Sequence, residues 1–193
     1  MMPGQGEQPV ILSGLQGSLL IAMPMLQDPN FHRMVTLIVS HDTNGAFGVV
    51  LGPPTDLPAA QLGEPFSMSW ERPDISFVRY GGPCERGRIW LIHGGDRPLR
   101  DAVTIAPGVH LGSSQNLLSD INDQRNIPAM IFSGYAGWAP GQLEREMQDK
   151  SWLAGEVAPE LIFSTPHDEV WEHALKLSEM SPSHINAGHG ASA

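Results

Sequence analysis

Cysteine is almost absent: the 193 residues contain one, Cys84. A lone thiol closes no internal disulfide and completes no Cys-x-x-Cys redox or zinc pair, so a reducing cytosol is the expected compartment. Basic residues are scarce too. Eleven Lys and Arg against 21 Asp and Glu leave a formal charge of -10, which supplies little counter-charge for phosphates and disfavours direct nucleic-acid binding. Long apolar runs are missing as well. Leu19-Leu20-Ile21-Ala22-Met23 is stopped by Pro24, and no basic stretch precedes it, so neither a signal peptide nor a membrane span is expected. Finally, the chain has no G-x-x-x-x-G-K-[ST] phosphate loop, no G-x-G-x-x-G dinucleotide turn, no G-x-S-x-G elbow and no H-E-x-x-H zinc helix. Each absence removes the usual signature of a large enzyme class.

What is present describes an acidic, soluble, single-domain protein. A hydrophobic fraction of 41% is a globular value, and a chain of this length buries enough surface to need no metal or disulfide. The 21 Gly and 17 Pro imply many turns and short elements. Residues 1–13 and 181–193 are expected to be flexible ends, the latter carrying His184 and His189, around one domain at 14–180.

Strands are expected at Ser18 to Ala22, Ile75 to Tyr80, Arg88 to His93, Ala129 to Tyr135 and Leu161 to Ser164. Met34 to Val39 and Ala46 to Leu51 are two apolar runs joined across Asn44-Gly45, a strong hairpin signal, and their near-continuous hydrophobicity predicts cover on both faces. The Pro-rich passage from Gly52 to Pro58 is too short for a domain linker. Ser113 or Ser114 is placed to cap a helix through Leu117, Leu118 and Ile121. Thr165-Pro166-His167-Asp168 has the N-cap, proline and acid that open a helix through Trp171 and Leu177, and Pro140 to Met147 starts another. The economical reading is one α+β domain.

Three groupings attract functional interest. Gly134-Tyr135-Ala136-Gly137-Trp138 with Gly141-Gln142-Leu143-Glu144 is either a tight strand-to-helix connection whose Trp138 closes the core, or a site where a small polar ligand meets a helix N-terminus. Asp28-Pro29-Asn30-Phe31 with Arg33 is either a structural turn or a polar recognition patch. His41 and His93 are either separate hydrogen-bonded histidines, the favoured reading, or, if their strands are neighbours, they meet and with Asp28 could supply acid–base groups beside Arg33. Glu169 and His173 share a helix face but more often form an exposed polar pair, so no metal or cofactor is expected. Cys84 lies beside both Glu85 and Arg86 and reads by default as an inert structural thiol.

Taken in order, these segments resemble the AlgH/YqgE family of bacterial proteins. The resemblance is carried by Gly17 to Pro24, Leu26, Asp28-Pro29-Asn30-Phe31, Arg33, His41 and Gly45 to Gly48. It continues through Gly81-Gly82-Pro83, Leu91-Ile92-His93, the Gly134 to Glu144 segment, Trp152-Leu153, Ile162-Phe163 and Trp171. Two departures stand out: Leu51-Gly52-Pro53-Pro54 replaces the family's usual Asn and basic residue before a proline, and Cys84 replaces an apolar residue. The resemblance implies a bulged, barrel-like mixed β-sheet flanked by helices, in the cytosol, with no established catalytic activity. The family's transcriptional-regulator label describes a cellular outcome, and an acidic chain with no helix-turn-helix pattern points to an indirect route.

The leading expectation is therefore a non-enzymatic regulatory or accessory protein acting through a protein partner or small ligand. Its expected binding surface comprises Asp28, Asn30, Arg33, His41, Gly81, Gly82, His93, Trp138, Gln142 and Glu144, with no catalytic residue assigned. The alternative is an enzyme using Asp28, His41 and His93. A third reading, nucleic-acid binding through Arg79, Arg86 and Arg88, predicts an affinity that falls steeply with salt.

Overall fold

The computed structural model describes residues 14–179. The segments 1–13 and 181–193, with His184 and His189, lie outside the described residues. Ten strands form one curled mixed sheet: β1 (Ser18–Ala22), β2 (Val35–Asp42), β3 (Gly45–Val50), β4 (Pro54–Pro58), β5 (Phe77–Tyr80), β6 (Cys84–His93), β7 (Val103–Ala106), β8 (Val109–Gly112), β9 (Ala129–Trp138) and β10 (Trp152–Glu156). The helices are α1 (Gln115–Asp123), α2 (Gln142–Gln148), α3 (Pro159–Phe163) and α4 (Val170–Glu179). Among the described residues no helix is long and apolar enough to cross a membrane.

The main strand order is β10-β1-β2-β3-β9-β6-β8-β7, antiparallel throughout, with β5 added parallel to β9 and β4 beyond it. The α+β expectation with a bulged mixed sheet is met, since the register slips between Ile38 and Ser40, between Cys84 and Ile89, and between Thr104 and Ala106. The hairpin of β2 and β3 is central, and its residues are largely buried. Its turn differs from expectation. Asp42 pairs with Gly45, so the loop is Thr43-Asn44, and the Asn44 N–H donates to Asp42 Oδ1 at 2.7 Å. Only Gly45 needs positive φ, 125°, and a Cβ there would strike the Trp138 carbonyl.

β9 is the strand the sheet is built around. One edge carries β6, and the other carries β5 and β3 end to end. Phe132 faces the core cluster of Leu37, Trp90 and Ile92, which α3 and α4 cover, and Ile131 faces the cluster beneath α1. Tyr135 also faces the first cluster, so the alternation expected of a strand is broken between residues 132 and 135. Gly134, at φ 80°, sits at that break, and beyond it Ala136 and Trp138 enter a third cluster with Leu143 and Trp152.

Two expected elements are corrected. Leu161 to Ser164 is not a strand but lies mostly in α3, because Leu161 and Ile162 both face the first cluster, which successive residues of a strand do not do. Helix α4 begins at Val170, and the Thr165 hydroxyl donates at 3.4 Å to the Glu160 carbonyl of α3 instead of capping α4. The Ser114 cap of α1 is as expected, accepting from the Leu117 N–H at 3.0 Å.

Between β4 and β5 the chain is fastened by a buried arginine. Arg72 is 1% exposed and spends all its N–H donors inside the protein. Nε and Nη2 donate to the two Asp74 oxygens at 2.9 and 2.7 Å, Nη1 to the Ile121 and Gln124 carbonyls at 2.9 and 3.3 Å, and Nη2 to the Ile127 carbonyl at 3.0 Å. The cation thus closes the C-terminal end of α1, where free carbonyls and the helix dipole both favour it. Asn122 reinforces the join, accepting from the Glu71 N–H and donating to the Ser69 carbonyl. Replacing Arg72 with Met strands three carbonyls and is expected to cost roughly 3 kcal/mol. Lys, whose compact ammonium cannot reproduce the planar fork, should not restore it. Urea unfolding of both variants checks this, and a wild-type midpoint for Arg72→Met would refute it.

Candidate functional site

The residues expected to form a binding surface separate into distinct places. His41, Trp138, Gln142 and Glu144 come together where β2, β9 and α2 meet. His41 is buried; the Leu15 N–H points at its Nδ1 at 3.4 Å, leaving Nε2 as donor to Glu144 Oε1 at 3.0 Å. The Glu144 carboxyl is held below its ordinary pKa chiefly by its own backbone N–H, with His41 adding to the effect. Trp138, 6% exposed, lies against Phe31 at 6.1 Å between ring centroids and against Trp152 at 5.9 Å. Phe31 also meets Trp152 edge-on at 5.3 Å. This enclosed aromatic trio supports the core-closing reading of Trp138.

Glu146 organises that junction, although it was not among the expected site residues. Its Oε2 accepts from the indoles of Trp138 and Trp152 at 2.9 and 2.8 Å, and its Oε1 accepts from Gln142 Nε2 at 2.8 Å. Gln142 Oε1 in turn accepts from the Ala139 N–H at 3.0 Å. A sequence signal existed, because Gln142 and Glu146 are four apart on one helix face.

Asp28 and Asn30 form a turn whose Asp28 Oδ1 accepts from both the backbone and side-chain nitrogens of Asn30, at 2.9 and 3.0 Å. Asn30 Oδ1 accepts from the Tyr80 hydroxyl at 3.2 Å, and burial, ahead of neighbouring charges, raises that phenol's pKa. Arg33, at φ 53°, turns away to α4, where it pairs with Glu172 at 2.9 Å and lies over the Trp171 ring at 4.6 Å. Leu51 and Gly52 line a small cleft of about 180 Å³ with Arg33, Asp168 and Trp171. Gly81 and Gly82 approach backbone: a Cβ on Gly82, at φ 143°, would meet Tyr135, and one on Gly81 would lie 2.5 Å from the Gly134 carbonyl.

His93 lies elsewhere. The register places His41 across β3 from Trp138 at one end of β9 and His93 opposite Ala129 at the other, a separation of roughly 25–30 Å at strand rise. His93 is fully buried beside His110, with ring centroids 4.9 Å apart. Its Nδ1 donates to the Gly94 carbonyl at 2.8 Å and its Nε2 accepts from the Leu99 N–H at 3.2 Å. His110 donates from Nε2 to the Gly95 carbonyl at 2.9 Å, while its Nδ1 meets the Thr104 hydroxyl at 3.0 Å. Both nitrogens of each ring are thus engaged by protein groups. Burial, with His110 as a lesser cause, lowers the His93 pKa against the opposing Gly94 hydrogen bond. The expected acid–base grouping of Asp28, His41 and His93 is not assembled. Of the expected basic patch, Arg88 pairs with Glu85 at 3.6 Å and lies over Trp90, Arg79 lines a cleft on β5, and Arg86 is exposed. Among the described residues no three His, Cys, Asp or Glu side chains are grouped to hold a metal.

Comparison with known proteins agrees with the resemblance seen in the sequence. A family model described as AlgH-like matches residues 19–183. A UPF0301 protein of Ruegeria pomeroyi is 35% identical over 180 residues, covering 91% of this chain and 98% of its own. One from Idiomarina loihiensis is 36% identical over 169 residues, covering 86% and 91%. The solution structure of the AlgH protein from Pseudomonas aeruginosa superposes with a TM-score of 0.72 at 29% identity, covering 98% of this chain and 100% of that one. A crystal structure of a Corynebacterium diphtheriae protein, at 21% identity and a TM-score of 0.71 over 88% of this chain and 90% of that one, shares the fold.

Two outcomes are expected. An unfolded histidine titrates near pH 6.5, and the native state resists protonating His93, so stability is full above about pH 6.5 and declines as the pH falls below it. His93→Gln should flatten that decline in urea midpoints measured across the range; an unchanged slope would count against the assignment. Glu146→Leu, which leaves two buried indole N–H groups unpaired, should cost about 1–3 kcal/mol and weaken the near-UV circular dichroism of the tryptophans.

Proposed function

The chain belongs to the AlgH-like family, and from that premise we propose that it is a non-enzymatic accessory or regulatory protein that binds a protein partner or a small ligand. Any effect on transcription is then indirect, and the site of action is cytosolic. One observation carries the reading: at His93 and His110, both ring nitrogens are engaged by protein groups. A general acid or base must offer its proton or lone pair to a substrate, and these imidazoles offer theirs to the fold. His41 and Glu146 are committed in the same manner.

The formal charge of -10 supports action without direct contact to nucleic acid. The single cysteine supports a reducing compartment. Native mass spectrometry of protein purified gently from its own host is expected to show a stoichiometric small molecule or a bound polypeptide. Turnover of a defined substrate by the purified protein, lost in His93→Gln while the fold is retained, would overturn the proposal.

A further inference from the structure

Arg79 differs from the other arginines in its surroundings. Among the described arginines, Arg72 is buried and Arg79 half-buried while the others are exposed, and Arg72 is saturated with partners. Arg79 takes part in none of the ion pairs among the described residues. Burial lowers its pKa, yet a guanidinium stays charged at any physiological pH and carries N–H donors in a planar fork. Holding such a group half out of water with nothing to pair it is costly, which marks a place where a counter-ion fits.

The surroundings give that place a shape. Arg79 and Phe77 lie two apart on β5 and share one face of the strand, with Val78 buried on the other. They line a cleft of about 350 Å³ with Asp74, Pro128, Met130 and Phe163, at the small end of the range for ligand sites. Phe77 is 47% exposed, so a flat apolar surface stands beside the cation. Asp74 on the same cleft is already compensated by Arg72 at 2.7 Å. Its carboxylate and the overall charge of -10 still oppose a polyanion such as a polyphosphate, whereas one negative charge matches one guanidinium.

We propose that this cleft binds a small organic monoanion, a carboxylate on a flat apolar body, with the carboxylate clamped by Arg79 and the body resting against Phe77, Met130 and Phe163. The proposal deepens the small-ligand arm of the accessory-protein reading and rests on it. No bond is made or broken; the site recognises charge and shape, and the planar fork favours bidentate contact with a carboxylate.

The test is titration of the full-length protein with 3-phenylpropionate, followed by amide NMR, with 3-phenylpropanol and inorganic phosphate as comparisons. Phenylpropionate at millimolar concentration should shift the amides of Phe77, Arg79 and Met130. The alcohol, which lacks the charge, and phosphate, which lacks the apolar body, should each bind at least about ten-fold more weakly. Arg79→Met should weaken phenylpropionate by about ten-fold or more, with Arg79→Lys intermediate, while the urea midpoint of Arg79→Met stays at or above the wild-type value because an unpaired cation has been removed. No shift at these amides, equal binding of the alcohol, or unchanged affinity in Arg79→Met would each overturn the proposal. Those failures remain separable from failure of the broader non-enzymatic reading, which turnover of a defined substrate by the same preparation would overturn.

Discussion

A single buried cation ties together the parts of this protein that secondary structure leaves apart. Arg72 projects from an irregular stretch between β4 and β5, and its guanidinium holds carbonyls on either side of the C-terminal end of α1. Burying that charge is unfavourable unless every donor is met and the charge is balanced. Here Asp74, two residues on, balances it from the more exposed side, which fixes the direction in which the loop leaves the cation. The chain then enters β5 with Phe77 and Arg79 presented together. The contrast between the two arginines, seven residues apart, is between one cation consumed by the fold and one that no acidic side chain among the described residues pairs.

The second constraint is the sharing of β9. Since β3 and β5 lie end to end on one of its edges, β9 must serve differently oriented neighbours, and the sheet bends where it passes from one to the other. Gly134 takes the backbone conformation that this passage needs, and Gly82 lies so close that neither position has room for a side chain. At Gly134, Gly81 and Gly82 the space that a ligand-binding loop would leave open is filled by another stretch of main chain.

Legibility in the sequence followed the range of the interactions involved. β1 and the β2–β3 hairpin were readable because concentrated β-branched and apolar runs announce central strands, and α1 because its cap and apolar spacing are local. β4, β7, β8 and β10 escaped notice; each has four or five residues, several with proline, glycine or exposed positions, and pairing with distant strands defines them. α3 reads as a strand in the sequence because a short apolar run has no period of its own. The candidate site divides similarly. Residue type pointed to His93, but its confinement depends on His110, which only the β6–β8 register brings near. Arg72 could not be singled out, since its carbonyl partners are 49 to 55 residues away. Glu146 lay within reach of local reasoning through its spacing from Gln142.

The outermost pairing of the sheet, Ser18 with Glu156 through Ala22 with Trp152, bears on how the molecule is made. β1 leaves the ribosome shortly before β2, with which it pairs, but its other edge waits for β10 while more than a hundred further residues are synthesised. During that interval β1 offers unpaired amides and apolar side chains to any strand that approaches. Closure by β10 thus comes late, at a large sequence separation, the arrangement associated with slow folding and exposure to misassembly. The nascent chain is most vulnerable at a strand that the finished protein buries almost completely.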